Sequence, residues 1–249
     1  MKTANVFRAN LFHGLTAAVV GGTSGIGAAI ATSLHDTGAT VHVTGGTQAD
    51  VDACAATRGA AARPPVVLDV RNDQAVNDYF GSLPSLDILV NCAGIIRRND
   101  EHDARVFADV IDVNLSGTMR CCSAARPLLA ARRGVIVNTA SMLSFFGGGV
   151  VPAYSASKGG VAQLTKSLAI AYANDGVRVN AIAPGWVRTA LTSALQHDTP
   201  RGDAIIARTP LRRWADPEDI AGAVLFLCSP AAAFITGTIL PVDGGYLAA

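Results

Sequence analysis

The stretch TAAVVGGTSGIGAAIATSL, residues 16–34, decides the fold. Residues 16–20 are apolar and either small or β-branched, which reads as a buried strand. GGTSGIG (21–27) follows as a glycine-rich turn, and from Ala28 to Leu34 apolar and small residues continue as a helix. Strand, glycine turn and helix in this order form the context in which a glycine motif carries chemical meaning. Gly21 permits the tight turn, Gly25 lets a pyrophosphate approach the backbone, and Gly27 lets the helix pack closely on the sheet. The helix N-terminus then offers free N–H groups to phosphate oxygens. The spacing is G-x-x-x-G-x-G rather than G-x-G-x-x-G, so the rest of the chain has to carry the reading.

It repeats the alternation. ATVHVTGG (39–46) reads as a second strand, PPVVLDV (64–70) as a third ending at Asp69, and residues 73–83 as a helix. LDILVNCAG (86–94) is a fourth strand, whose small end would let a flat ring or a ribose lie on the backbone. A long helical stretch, 103–131, contains Asn114. GVIVNTA (134–140) is a fifth strand, followed by a helix running to about Asn174. VRVNAIAPG (177–185) is a sixth strand ending in Pro184-Gly185, and ITGTILPVDGG (235–245) supplies the last. Residues 217–228 form a helix with Pro217 in its first turn and Asp216 as its cap. Between these, residues 189–211 have mixed polarity and two prolines and read as a helical flap over the site. Strands alternating with helices predict an α/β fold: one domain, residues 1–249, built as a Rossmann-like doubly wound parallel sheet with helices on both faces.

Composition narrows the function. The chain has 249 residues, half of them hydrophobic, and a formal charge of +1, so neither nucleic acid nor an anionic membrane is an expected partner. The five cysteines lack a CxxC pair and the five histidines lack metal-like grouping, so no metal site is expected. Reduced thiols, a start without the apolar core of a signal peptide, and apolar runs no longer than AGAVLFLC (221–228) point to a cytoplasmic protein.

The chemistry lies in SMLSFFGGGVVPAYSASK, residues 141–158. Tyr154 and Lys158 are one helical turn apart and share a face. A tyrosine ionises near pH ~10, and an ammonium beside it favours the phenolate, so the hydroxyl can exchange protons with an alcohol or ketone. Ser141 follows the fifth strand, where a group meets substrate in an open α/β sheet. At the end of the second strand, the loop Thr44-Gly45-Gly46-Thr47-Gln48 offers neither an acid for ribose hydroxyls nor an arginine for a 2′-phosphate.

Taken together, the chain resembles the short-chain dehydrogenase/reductase family over nearly its whole length. VGGTSGIG (20–27) is similar to the family's TGxxxGxG cofactor loop, with Val20 in place of threonine, which assigns Gly21, Thr23, Ser24, Gly25, Ile26 and Gly27 to the cofactor. Asn91-Cys92-Ala93-Gly94 resembles NNAG, with Cys92 at the second asparagine; Asn91, Ala93 and Gly94 would then contact the cofactor. Asn114, Ser141 and the YxxxK pair Tyr154 and Lys158 match the family's catalytic set, and Ser141 and Tyr154 stand 13 residues apart, as is usual there.

The resemblance implies a hydride passed between nicotinamide and a secondary alcohol or ketone, without a metal. Tyr154 would be the general acid or base, Ser141 would hold the carbonyl oxygen, Lys158 would bind the nicotinamide ribose and depress the Tyr154 pKa, and Asn114 would anchor a water in the proton relay. Asp69 and Val70 would contact adenine, Pro184 and Gly185 would form the turn beside the nicotinamide, and Val187 and Thr189 would meet its carboxamide. A finer resemblance, in GIIRR (94–98), ASMLSFFGG (140–148) and VPAYSASK (151–158), is to the 2-deoxy-D-gluconate 3-dehydrogenase, 2-dehydro-3-deoxy-D-gluconate 5-dehydrogenase and gluconate 5-dehydrogenase branch. That branch implies a sugar acid, whose carboxylate could meet Arg97, Arg98 or Arg188. It favours NAD, with NADP as the alternative, and the family favours a homotetramer or homodimer. The competing readings are a reductase of 3-oxoacyl thioesters or other carbonyls, and a cofactor-sensing or scaffold protein without turnover.

Overall fold

The computed structural model describes residues 7–57 and 63–249; the first residues of the lead-in lie outside these. The sheet has seven strands: β1 (Thr16–Val20), β2 (Thr40–Gly45), β3 (Val66–Val67), β4 (Ile88–Asn91), β5 (Val135–Thr139), β6 (Arg178–Pro184) and β7 (Ile239–Val242). They lie side by side in the order β3-β2-β1-β4-β5-β6-β7, every neighbouring pair parallel. The order reverses between β1 and β4. Their connections leave in opposite directions at that point, and a crevice opens at the carboxyl ends of the strands.

Helices α1 (Gly25–Asp36), α2 (Gln48–Thr57), α3 (Asp73–Gly81), α4 (Ala104–Ile111), α5 (Gly117–Arg132), α6 (Pro152–Ala171), α7 (Ser193–His197), α8 (Thr199–Arg208) and α9 (Pro217–Cys228) complete the chain. Alternation along β1 shows how both faces are covered. Ala17 and Val19 join a core with Ile30 and Leu34 of α1 and with Ile220 and Val224 of α9. Ala18 and Val20 join the opposite core, with Phe80 of α3, Leu129 of α5 and Leu168 of α6. Side chains of a strand point alternately to the two faces, so a strand buried on both sides must be apolar throughout. Each large side chain buried in these layers contributes roughly 1.5–3 kcal/mol.

The structure departs from the sequence expectations in four places. Helix α2 lies where no element is anticipated: QADVDACAAT presents no apolar stripe, and among its described side chains those of Val51 and Cys54 alone are buried. β3 shrinks to two residues at the sheet edge, because Pro64 and Pro65 carry no N–H for a ladder; its pairing stops at Thr44–Val66 and Gly45–Val67. The long helix expected over 103–131 is broken into α4 and α5 by a π turn, Asp112–Ser116, and that turn carries Asn114. The last strand covers four residues of the eleven-residue stretch 235–245. The flap, 189–211, is a short 3-10 turn followed by α7 and α8. Among the described residues no helix is long and apolar enough to cross a membrane.

Candidate active site

A cavity of about 560 Å³ occupies the crevice, within the size range of small-molecule sites. Its floor is the glycine turn. Gly21 has φ +76°, and a Cβ there would stand 2.5 Å from the backbone nitrogen of Ala93, so the turns after β1 and β4 meet back to back with no room for a side chain. Ser24 sits at the N-cap of α1 in extended conformation, makes no capping bond with its side chain, and is followed by no acid in the first turn. The uncapped N–H groups of α1 therefore belong to a segment, Ser24 to Gly27, that lines the cavity. A pyrophosphate supplies what such a helix end lacks, so these residues fit a dinucleotide.

Around this floor stand Thr23, Asp69 and Val70 at one end, Ala93 and Gly94 in the middle, and Pro184, Gly185, Val187 and Thr189 opposite. Tyr154 and Lys158 enter from α6, and Ser141 from the end of β5. Two residues of the expected catalytic and cofactor-binding set are not on the wall. Asn91 points into the core, where its Nδ2 donates to Asn138 Oδ1 at 2.9 Å and to Cys122 Sγ at 3.3 Å. Asn114 is fully buried behind the wall. Its Oδ1 accepts from the Ile95 N–H (2.8 Å), and its Nδ2 donates to the Ile95 carbonyl (2.9 Å) and to Ser157 Oγ (3.0 Å). It ties the Gly94–Ile95 turn to the catalytic helix, from a π turn of the kind that clusters at functional sites.

The Ser141 hydroxyl favours the ionised form of Tyr154, and its Oγ accepts from the Leu143 N–H at 3.2 Å, which fixes its rotamer. Burial raises the Tyr154 hydroxyl above its ordinary pKa; Ser141 and the charge of Arg98 pull it back in part, and Glu101 adds to the rise. The Lys158 Nζ lies 5.6 Å from the tyrosine ring centroid and donates to the Thr139 carbonyl at 2.6 Å. Burial pushes that ammonium down to about 8. Arg98 is a second cation that acts on the tyrosine.

Glu101 is the residue that sequence reasoning misses. It lies in NDEHD (99–103), where the sequence places no site residue, yet Glu101 is 1% exposed. One carboxylate oxygen accepts from the Arg97 N–H and the other from the Tyr154 N–H, each at 2.8 Å. Helix α6 begins with Pro152 and has neither an N-cap bond nor an acid in its first turn. Glu101 provides from 53 residues away the acceptor that its own sequence withholds. Glu101→Gln keeps the size but turns a donor toward one of those N–H groups. We expect a loss of about 2 kcal/mol in urea unfolding and a kcat about tenfold lower, with cofactor affinity nearly unchanged.

The three candidate arginines part company. Arg97 is exposed and lines the cavity, whereas Arg98 and Arg188, the latter bound to Asp216 at 3.0 Å, lie off its wall. Arg98 is half-buried, forms no ion pair or hydrogen bond among the described residues, and feels the charges of Tyr154, Glu101 and Arg201, the last borne by α8 of the flap.

Comparison with known proteins agrees with this fold. A family model described as enoyl-(acyl carrier protein) reductase matches residues 20–247. The chain is 40% identical over 242 residues to 2-dehydro-3-deoxy-D-gluconate 5-dehydrogenase of Bacillus subtilis, covering 94% of this chain and 95% of that protein. It is 41% identical to cis-4-hydroxycyclohexanecarboxylate dehydrogenase of Sinomonas cyclohexanicum, covering 93% and 96%. Among solved structures, a protein of Agrobacterium tumefaciens provisionally assigned as 2-deoxy-D-gluconate 3-dehydrogenase, with bound NADP, superposes with a TM-score of 0.87 at 41% identity, covering 98% and 100%.

Proposed function

The chain belongs to the short-chain dehydrogenase/reductase family, as an NAD(P)-dependent oxidoreductase of CH–OH groups, and on that premise we propose that its substrate is a hydroxy or keto sugar acid. The observation that carries this reading is Arg98: a half-buried guanidinium without a hydrogen bond or ion pair among the described residues, within electrostatic reach of the Tyr154 hydroxyl. A guanidinium left without a bonded partner suits an anion, and a carboxylate accepts bidentate bonds from it. The names of the Bacillus and Sinomonas relatives both join a carboxylate to an alcohol or ketone carbon.

When bound, the nicotinamide cofactor gives or takes the hydride. The chain's own groups handle the proton and the oxygen. Ser141 donates to the carbonyl oxygen as negative charge develops on it, and Tyr154 delivers the proton to that oxygen in reduction or removes it in oxidation. Lys158 holds a positive charge at the foot of the cavity for ribose hydroxyls, and Asn114 completes the relay through the remaining lone pair of its Oδ1. NAD is the favoured cofactor in this reading. A homotetramer is the favoured assembly, with Phe107 of α4 and Met119 of α5 exposed for contact.

Steady-state assays crossing NAD(H) and NADP(H) with sugar acids, neutral polyols and a 3-oxoacyl thioester mimic test the substrate class. Turnover confined to neutral or thioester substrates would overturn it. Arg98→Leu is expected to raise KM for a sugar acid by about tenfold or more, the worth of one charge-assisted pair, while a neutral polyol changes by less than about threefold. Equal losses on both would remove Arg98 from acid recognition.

A further inference from the structure

We propose that Asp50, on the first turn of α2, selects NAD over NADP in place of the acidic side chain that β2 lacks at its end. This rests on the reading of the cavity as a nicotinamide dinucleotide site. With a pyrophosphate at the N-terminus of α1 and a nicotinamide ribose beside Tyr154 and Lys158, the adenosine is left the end walled by Gly46, Thr47, Asp50, Asp69 and Arg71.

The usual source of a ribose-binding acid, the last residue of the second strand, is closed off here by packing. β2 ends at Gly45, where a Cβ would come 2.7 Å from Thr23 Cγ2 and 3.1 Å from Asp50 Cβ. The glycine turn and α2 have already filled the space that a strand-end side chain would use. At the next position, a Cβ on Gly46 would lie 4.0 Å from Asp50 Oδ2. The carboxylate thus stands against the bare strand end, reaching it from the helix that follows.

Its orientation is fixed. Asp50 Oδ2 accepts the Thr47 hydroxyl at 2.6 Å and the Thr47 N–H at 3.1 Å, while Oδ1 has no hydrogen bond among the described residues. An ionised carboxylate can only accept, so it suits a donating 2′-hydroxyl and repels a 2′-phosphate carrying close to two negative charges. The cation at this end cannot offset that repulsion. Arg71 is held by Asp69 through Nη2 at 2.8 Å and by Asp109 through Nη1 at 2.8 Å. Family membership leaves the matter open, since the Agrobacterium relative holds NADP.

Thr47 and Asp50 also cap α2, with Thr47 Oγ1 accepting the Asp50 N–H at 3.2 Å, so the test has to separate charge from cap. Equilibrium dissociation constants for NADH and NADPH would be measured on the full chain by calorimetry. Wild type is expected to bind NADH at least about tenfold more tightly. Asp50→Asn, which keeps size and an acceptor for Thr47, should bring the two within about threefold by strengthening NADPH. Gln48→Gly, which weakens the first turn of α2 from a position off the cavity wall, should lower the melting temperature and leave the ratio alone. NADPH binding to wild type as tightly as NADH, or an unchanged ratio in Asp50→Asn, would overturn the assignment. Tight NADPH binding with turnover of a sugar acid would remove only the role of Asp50. Binding of neither dinucleotide would take the dinucleotide reading down with it.

Discussion

Tyr154→Phe should lower kcat by about a thousandfold, with the dissociation constant of the reduced cofactor shifted by less than about twofold. The substitution removes one oxygen and little else. The ring stays, so its packing and the 5.6 Å placement of Lys158 over it survive. The bond from the Tyr154 N–H to Glu101 is a backbone bond and also survives, so α6 keeps its long-range cap. Ser141 keeps its Oγ bonded to the Leu143 N–H and remains aimed at the cavity. What disappears is the proton that the carbonyl oxygen must receive. The raised pKa of this hydroxyl adds a pH signature in the wild type. Reduction needs the protonated form and should be flat through neutrality, whereas oxidation needs the phenolate and should climb through the alkaline range. Single-turnover kinetics with cofactor bound, at several pH values, would show both. A phenylalanine variant retaining more than about a tenth of wild-type kcat would remove Tyr154 from the proton transfer.

The fold and the walls of the site are legible in the sequence to different depths. The alternation of apolar strands with glycine-ended turns is a local signal, so β1, β4, β5 and β6 fall where their residues indicate, and with them the ends that carry Ala93, Ser141 and Pro184. The YxxxK spacing is local as well, because one helical turn fixes both side chains relative to each other. The features that escape depend on partners distant in the chain. Glu101 becomes part of the site through a bond to residue 154, and no window around NDEHD contains that information. Asp50 faces the cavity because α2 forms, and α2 forms without an amphipathic stripe to announce it. Asn91 sits in the right motif, yet burial between β4 and β5 turns its side chain toward Asn138 and away from the cavity. Sequence spacing gives the nearness of Lys158, but the competing burial and the charge of Arg98 come from the fold.

Lys158→Met carries the second large effect. The lysine is 4% exposed, and its ammonium is pushed down to about 8 by burial, with the Thr139 carbonyl 2.6 Å from Nζ. An unperturbed lysine holds its proton to about 10.4, so between these two values the unfolded chain binds a proton that the folded chain has released. At this site stability therefore rises with pH across that window, and at neutral pH the buried ammonium is a cost to the fold. Methionine removes that cost but leaves the Thr139 carbonyl short of a donor, worth about 1–3 kcal/mol in the other direction. The variant should thus fold, and any stability advantage it has over wild type near pH ~7 should shrink toward pH ~10. Function should respond differently. Without the charge at the foot of the cavity, kcat/KM should fall by about a hundredfold or more, most of it through weaker cofactor binding. The wild type should itself lose cofactor affinity as pH rises past about 8, when the ammonium gives up its proton. In Lys158→Met that dependence should be gone. Calorimetric titration of both proteins from neutral to alkaline pH would show it. An affinity that falls equally in both would mean that another group is titrating, and that Lys158 serves the fold rather than the cofactor.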